Sequence, residues 1–151
     1  MPITDEDIAQ LARDAEAAAV AIIRGDMRTY LSLIRHAEDY TLLPPFGGGA
    51  RRGFDHSEEA VEAMANQFQG GEATLELVRS YVSGDLAVLV AIERQHGLVL
   101  DLPDQDWSLR VTLVFRRDSD GWQLAHRHAD PLSHPVQPGL VAALARGEPV
   151  G

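Results

Sequence analysis

The segment RVTLVFRRDSDGWQLAHRHADPL, residues 110–132, is the feature that most constrains the fold. Both of its halves alternate apolar and polar side chains with a period of two, which is typical of half-buried β-strands. Polar residues and a glycine at 118–121 separate the halves. This connection is too short for a crossover helix, so the two strands must be antiparallel neighbours. The sequence therefore predicts a β-hairpin.

The second strand of this hairpin carries three polar side chains at its end, His126, His128 and Asp130. Under strict alternation they continue the face that two apolar residues begin earlier in the strand. Counting pairs back from the turn places an apolar residue opposite each one, namely Leu113 opposite His126, Val111 opposite His128 and Leu109 opposite Asp130. An apolar wall with a few convergent polar groups is the usual composition of a small-molecule pocket.

Three interpretations of His126, His128 and Asp130 stay open. They can be hydrogen-bonded polar groups at a cavity or strand end, because buried polar groups are usually satisfied. They can perform acid–base catalysis, since histidine titrates near pH 7 and a carboxylate can orient its ring. They can also bind a metal, because two histidines and a carboxylate form a known ligand set. We assign them as the candidate catalytic residues and expect no metal and no cofactor.

The first half of the chain shows helical periodicity. Thr4, with Asp7 three residues later, is a capping signal for a long first helix that ends before Gly25. Asp26 can cap a short second helix, and Ser57 can cap a third. The sequence therefore predicts three helices, with a short strand over residues 38–43 between the second and the third.

From Thr74 onwards the period changes to two. Strands are predicted over residues 74–82, 86–96, 107–117 and 122–130, and a last helical turn or two over 140–145. Helices followed by an antiparallel meander predict an α+β fold, with the three N-terminal helices packed on the concave side of a strongly curved, mainly antiparallel sheet. Such a layout encloses a cone-shaped cavity. The residues that we expect to line it, besides the polar group above, are Leu109, Val111, Leu113, Met64, Phe68, Arg94 and His96.

Composition excludes several classes of protein. At 151 residues and 45% hydrophobic content, the chain fits one domain, with a core over about 4–132 and a tail over 133–151. A formal net charge of −10 argues against binding nucleic acid through its phosphates. The absence of cysteine excludes disulfides and thiolate chemistry. The longest apolar run, 17–23, is too short to cross a membrane, and the acidic start is unlike a secretory signal, so we expect a cytoplasmic protein.

Several of these features occur in a familiar order: Gly25-Asp26 after the first helix, a Pro-Phe-Gly loop at 45–47, and W-x-L-x-H-x-H at 122–128. Over residues up to about 132 the chain resembles the SnoaL-like, ketosteroid-isomerase-like branch of the nuclear transport factor 2-like superfamily. The resemblance implies one SnoaL-like domain folded as a cone-shaped α+β barrel. It also implies a ligand cavity on the concave side and a homodimer formed through the outer sheet face.

The resemblance implies less about chemistry. Related steroid isomerases have a catalytic aspartate before the Pro-Phe-Gly loop, a tyrosine on the first helix and a second acid on the strand equivalent to 107–117. The corresponding places here are Pro44, the alanines around Ala18, and Leu113. We therefore expect a cavity for a small, partly apolar molecule that is isomerised, cyclised or hydrolysed. The alternative is a non-catalytic ligand-binding or dimerisation domain.

Overall fold

Three helices precede a long β-meander in the computed structural model, which describes residues 1–149. The elements in chain order are α1 (Asp5–Ile23), α2 (Met27–Leu33), β1 (His36–Leu43), β2 (Arg51–Arg52), α3 (Glu58–Ala65), β3 (Phe68–Ser83), β4 (Leu86–Val99), β5 (Gln105–Asp106), β6 (Leu109–Asp118), β7 (Gly121–Pro131) and α4 (Pro138–Arg146). No helix within residues 1–149 is both long enough and apolar enough to span a membrane.

The helix caps follow the predictions. The Thr4 hydroxyl accepts a hydrogen bond from the Asp7 backbone N–H at 3.1 Å, and the Asp7 carboxylate accepts one from the Thr4 backbone N–H at 2.9 Å. These reciprocal bonds form the capping box that starts α1. The side chains of Asp26 and Ser57 cap α2 and α3 by accepting hydrogen bonds from the backbone N–H groups of Thr29 and Ala60. Helix α3 ends at Ala65, and β3 begins at Phe68, six residues before the predicted strand start at Thr74.

The strands form one sheet in the order β2-β1-β7-β6-β4-β3, with β5 paired to β4. The β3–β4 and β6–β7 hairpins are antiparallel, as predicted, and β1 lies parallel to β7. Helix α1 packs against β3 and β4. The α+β prediction, with N-terminal helices on a mainly antiparallel sheet, is therefore confirmed.

The inner face of β4 differs from the predicted one. Ala87, Leu89 and Ala91 are almost fully buried in the core, whereas Arg94 and His96 are exposed. We had expected Arg94 and His96 to share the cavity face. Both faces of β4 are apolar as far as Ile92, so alternation alone does not identify the inner face. The prediction that these two residues line the cavity is wrong.

A β-bulge in β7 changes the orientation of the second half of this strand. Phe115 pairs with Leu124, as counting from the turn predicts, but Val114 pairs with His126, which leaves Ala125 without an opposite residue. One extra residue reverses the faces of all later side chains. Our predicted partners of the polar residues are therefore wrong: Val114 lies opposite His126, Thr112 opposite His128, and Arg110 opposite Asp130.

Candidate functional site

A cavity of about 830 Å³ lies between the helices and the concave face of the sheet. Most of its wall is apolar and comes from α1, α3 and the strands. Four of the predicted lining residues do line it, namely Met64, Phe68, Leu109 and Leu113. Val111 is buried in a separate small cluster with Ala91 and Ala129.

The three candidate catalytic residues lie on the opposite face of the sheet. His126 Nδ1 is 2.8 Å from the hydroxyl oxygen of Thr41, and His128 Nε2 is 2.9 Å from the Asp130 carboxylate. The bulge at Ala125 explains this placement, because if Ala125 were paired in a regular ladder, strict alternation would turn these three residues to the cavity side with Leu124. No group of three or more metal-ligating side chains occurs among the described residues. A catalytic role for the three residues stays a prediction.

In their place, the bulge directs Arg127 into the cavity wall. Arg127 makes two hydrogen bonds to Glu93 of β4, from Nη1 to Oε2 at 2.6 Å and from Nη2 to Oε1 at 2.9 Å. The side chain of Glu93 is 4% exposed and that of Arg127 18%. This two-pronged geometry is the strongest form of ion pairing between an arginine and a carboxylate. The site therefore contains a buried, preorganised ion pair.

The charges of this pair balance each other. Burial alone would lower the pKa of Arg127, but the charge of Glu93 and the two hydrogen bonds outweigh burial and raise this pKa overall. The guanidinium thus stays protonated. A positive and a negative group fixed together give the cavity wall strong hydrogen-bonding groups without net charge.

An aromatic cluster forms the wall next to the ion pair. Tyr30 of α2, Tyr40 of β1 and Phe54 line the cavity, and His36 lies behind them. The His36 ring stacks on Phe54, with ring centroids 3.9 Å apart and planes 10° apart, and meets Tyr40 edge-on at 4.6 Å. His36 Nε2 is 2.8 Å from the Tyr30 hydroxyl oxygen. These contacts fix the imidazole on three sides.

Burial keeps both members of this hydrogen bond uncharged at neutral pH. It lowers the pKa of His36 to about 4, and the nearby His56 adds to this effect. Burial also raises the pKa of the Tyr30 hydroxyl, as does the neighbouring Tyr40. His36 is only 9% exposed, and its Nδ1 atom has no hydrogen-bond partner within residues 1–149. A neutral tyrosine of the cavity wall is thus in direct contact with a neutral histidine behind it.

Glu93, Arg127 and Tyr30 line the cavity but were not predicted from the sequence as site residues. Glu93 is the first charged residue after seven consecutive apolar positions in β4, and such a lone acid is a signal for a buried partner. Arg127 gave no such signal, because its face depends on the bulge. Tyr30 lies at helical spacing with Met27, Leu31 and Ile34, so the sequence alone does not distinguish it from a core residue.

The family model for the SnoaL-like domain matches residues 14–135. None of the curated proteins matches the sequence. Among solved structures, a protein of Streptomyces avermitilis described as a candidate dehydratase of the NTF2-like family has a TM-score of 0.68 and 23% identity, covering 86% of this chain and 99% of its own.

Two further solved structures have the same fold. An NTF2-like superfamily protein of Salmonella enterica has a TM-score of 0.64 and 20% identity, covering 87% of this chain and 93% of its own. The CaMKII hub of S. rosetta has a TM-score of 0.61 and 20% identity, covering 82% and 95%.

Proposed function

Since the chain belongs to the SnoaL-like family of the nuclear transport factor 2-like superfamily, we propose that its cavity binds a small, uncharged, partly apolar molecule. One observation carries this proposal: the Glu93–Arg127 ion pair is buried in the wall of a mostly apolar cavity. The other charged lining residues, Arg51, Arg52, Asp55 and Asp106, are exposed. A structural ion pair in such a place is weak support for stability, because desolvation offsets much of the attraction. A ligand that hydrogen-bonds to the pair would account for its presence in this wall.

The size and lining of the cavity fit this kind of ligand. Pockets for small molecules usually have volumes of roughly 300–1,000 Å³ and apolar walls with a few polar groups. The cavity here, at about 830 Å³, lies within that range. An apolar ligand body would displace water from the alanine-rich surface of α1 and from Leu113, Phe115 and Leu124, which favours binding through the hydrophobic effect.

The ion pair favours a neutral polar group over a charged one. A charged ligand group placed against this pair would lose its hydration without meeting an uncompensated opposite charge, and this desolvation costs several kcal/mol. A carbonyl or hydroxyl group can instead hydrogen-bond to N–H groups of Arg127 that Glu93 leaves free. We therefore expect neutral ketones, lactones or alcohols rather than carboxylates.

The ion pair also favours binding and orientation over proton abstraction by Glu93. Both of its carboxylate oxygens already accept hydrogen bonds from Arg127, so neither can take a proton from a ligand without giving up a bond of the pair. The similar protein of S. avermitilis is described as a candidate dehydratase. For the present chain, isomerase, cyclase or hydrolase activity is a separate proposal that a turnover assay tests.

A thermal-shift screen tests the binding proposal. Neutral bicyclic ketones, lactones and alcohols are compared with carboxylates built on the same ring systems. We expect neutral compounds to raise Tm, because a ligand that binds only the folded state stabilises it. The Val61→Trp variant fills the cavity from α3 and should abolish the shift. The matched variant Val141→Trp, on α4 outside the cavity, should retain it.

Two results would contradict the proposal. Undiminished binding in Val61→Trp would show that the ligand occupies another place. A consistent preference for carboxylates would show that the ion pair does not behave as a neutral unit. Circular dichroism of both variants establishes that each retains the fold.

The outer sheet face supports a second proposal, association of two copies of the chain. We define this face by its apolar residues and the polar residues beside them. The apolar residues are Val78, Tyr81, Val88, Val90, Ile92 and Val114, and the polar ones are Glu76, Arg79, Arg110, Thr112, Arg116, His126, His128 and Asp130. Val78 and Tyr81 are 60% and 55% exposed. A contiguous apolar patch of this kind, with polar groups at one end, is typical of a protein–protein contact.

A further inference from the structure

We propose that His36 donates its Nε2–H to the Tyr30 hydroxyl, so that Tyr30 presents its own O–H to the cavity and selects ligands with a carbonyl oxygen. This inference rests on the proposed function and deepens it, because it names the ligand group that the aromatic side of the cavity recognises. Tyr30 is the contact residue, and His36 acts as a positioning residue behind it.

The unpartnered Nδ1 atom of His36 determines the direction of the hydrogen bond. If Tyr30 donated to Nε2, a neutral imidazole would carry its hydrogen on Nδ1, where a buried N–H would have no acceptor within residues 1–149. Buried N–H groups without an acceptor are rare, and buried acceptors without a donor are better tolerated. A hydrogen on Nε2 leaves only a lone pair at Nδ1. This tautomer therefore agrees best with the surroundings of the ring.

A charged imidazolium does not fit the same surroundings. The ring is stacked on Phe54 and edge-on to Tyr40, and no carboxylate hydrogen-bonds to it within the described part of the chain. The ring of His56 also lies close, with its centroid 6.0 Å from that of His36, and it opposes a positive charge on His36 as well. The histidine is thus a neutral donor at physiological pH.

The consequence for Tyr30 follows from the geometry of a phenol. Its oxygen accepts the hydrogen bond from His36, and its single hydrogen must point elsewhere. No other side chain or backbone group within residues 1–149 hydrogen-bonds to this oxygen, and Tyr30 lines the cavity. A chain of two hydrogen bonds in one direction also polarises the outer donor and strengthens it. The ligand atom that matches such a donor is a carbonyl oxygen.

Nuclear magnetic resonance of the ¹⁵N-labelled full chain tests the tautomer directly. We expect a pyrrole-type signal for His36 Nε2 and a pyridine-type signal for Nδ1, both unchanged between pH 8 and pH 6. The His36→Gln variant identifies the signals, because they are absent from its spectrum. A pyrrole-type Nδ1 in His36 would overturn the proposal. This measurement needs no ligand.

Titration with 1-tetralone and tetralin tests the consequence for the cavity. The two probes share a bicyclic body and differ in one carbonyl group. A net hydrogen bond of about 1 kcal/mol predicts that the ketone binds about fivefold more tightly than the hydrocarbon. Tyr30→Phe should remove this preference. Tyr40→Phe, which alters a neighbouring wall residue without touching the His36 hydrogen bond, should retain it.

The ketone preference of His36 variants distinguishes hydrogen-bond donation by His36 from a merely structural role. If His36 donates to Tyr30, then His36→Leu lowers the ketone preference, and His36→Gln restores it because the amide N–H₂ occupies the place of Nε2–H. A rise in the ketone preference of His36→Leu would show that Tyr30 had been donating to His36 and would overturn the inference. Failure of both probes to bind would contradict the proposed cavity function, while the tautomer signals would still decide this inference.

Discussion

Leu124 and His126 lie two residues apart in β7, yet their side chains point to opposite faces of the sheet. Leu124 is 3% exposed in the core, whereas His126 contacts Thr41 on the outer face. The β-bulge at Ala125 separates them, since it adds one residue to β7 without one in β6. This single residue decides which polar side chain, Arg127 or His128, reaches the cavity.

Deleting Ala125 should therefore be tolerated. Removal of the unpaired residue joins Leu124 directly to His126, and regular alternation then keeps every later side chain on its present face. We expect a loss of about 1–2 kcal/mol in the free energy of unfolding, the usual scale for a local change, measured by urea denaturation.

Deleting Ala129 is the matched control for that variant. Ala129 is fully buried opposite Val111, and its removal would move Asp130 into this apolar position. Burial of an unpaired carboxylate should cost clearly more stability than the deletion at Ala125. Equal losses for the two deletions would contradict the bulge assignment.

The sequence predicted the fold because local signals agreed with the packing. Local signals involve residues that are close in sequence, so they can be identified without the tertiary structure. Examples are the caps at Thr4, Asp26 and Ser57 and the turn at 118–121. The orientation of the site could not be predicted in this way. A bulge depends on how β7 bends against both β1 and β6, and nothing near Ala125 marks it in the sequence.

The Glu93–Arg127 pair predicts a strongly non-additive double-mutant cycle. Arg127→Met leaves Glu93 buried without a partner, which should cost about 3–5 kcal/mol in the free energy of unfolding at pH 7. The double variant Glu93→Gln/Arg127→Met should recover most of this loss, because no charge remains in the wall. Urea denaturation of the wild type, Glu93→Gln, Arg127→Met and the double variant measures the cycle.

His128→Ala provides the control for the cycle. His128 is adjacent in sequence but lies on the outer face, so its truncation should change stability by no more than about 0.5 kcal/mol. Additive effects of the two cavity substitutions would contradict a coupled ion pair. A large effect of His128→Ala would contradict its outward placement.

His36 predicts a loss of stability in mild acid. Its pKa in the folded chain is about 4, below the ordinary value of 6.5, so the unfolded chain binds this proton more readily. The contribution is complete above pH 6.5 and is lost as the pH falls from 6.5 towards 4. At pH 4.5 the loss should be about 2–3 kcal/mol relative to pH 7.

The His36→Gln variant isolates this contribution, because glutamine does not titrate. The difference in unfolding free energy between the wild type and the variant should shrink from pH 7 to pH 4.5 by the same amount, whatever the other groups do. A difference that stays constant over this range would show that His36 titrates normally in the folded chain.

The outer sheet face predicts that the chain is a dimer in solution and that Val90→Arg makes it a monomer. Val90 lies in the middle of this face, between Arg79 of β3 and Thr112 of β6, so two arginines would face each other across a symmetric contact. Sedimentation velocity measures the change. Val141→Arg, which alters an exposed apolar residue of α4 instead, should remain a dimer. A monomeric wild type would contradict the proposed association. A dimer that survives Val90→Arg but not Val141→Arg would place the contact elsewhere.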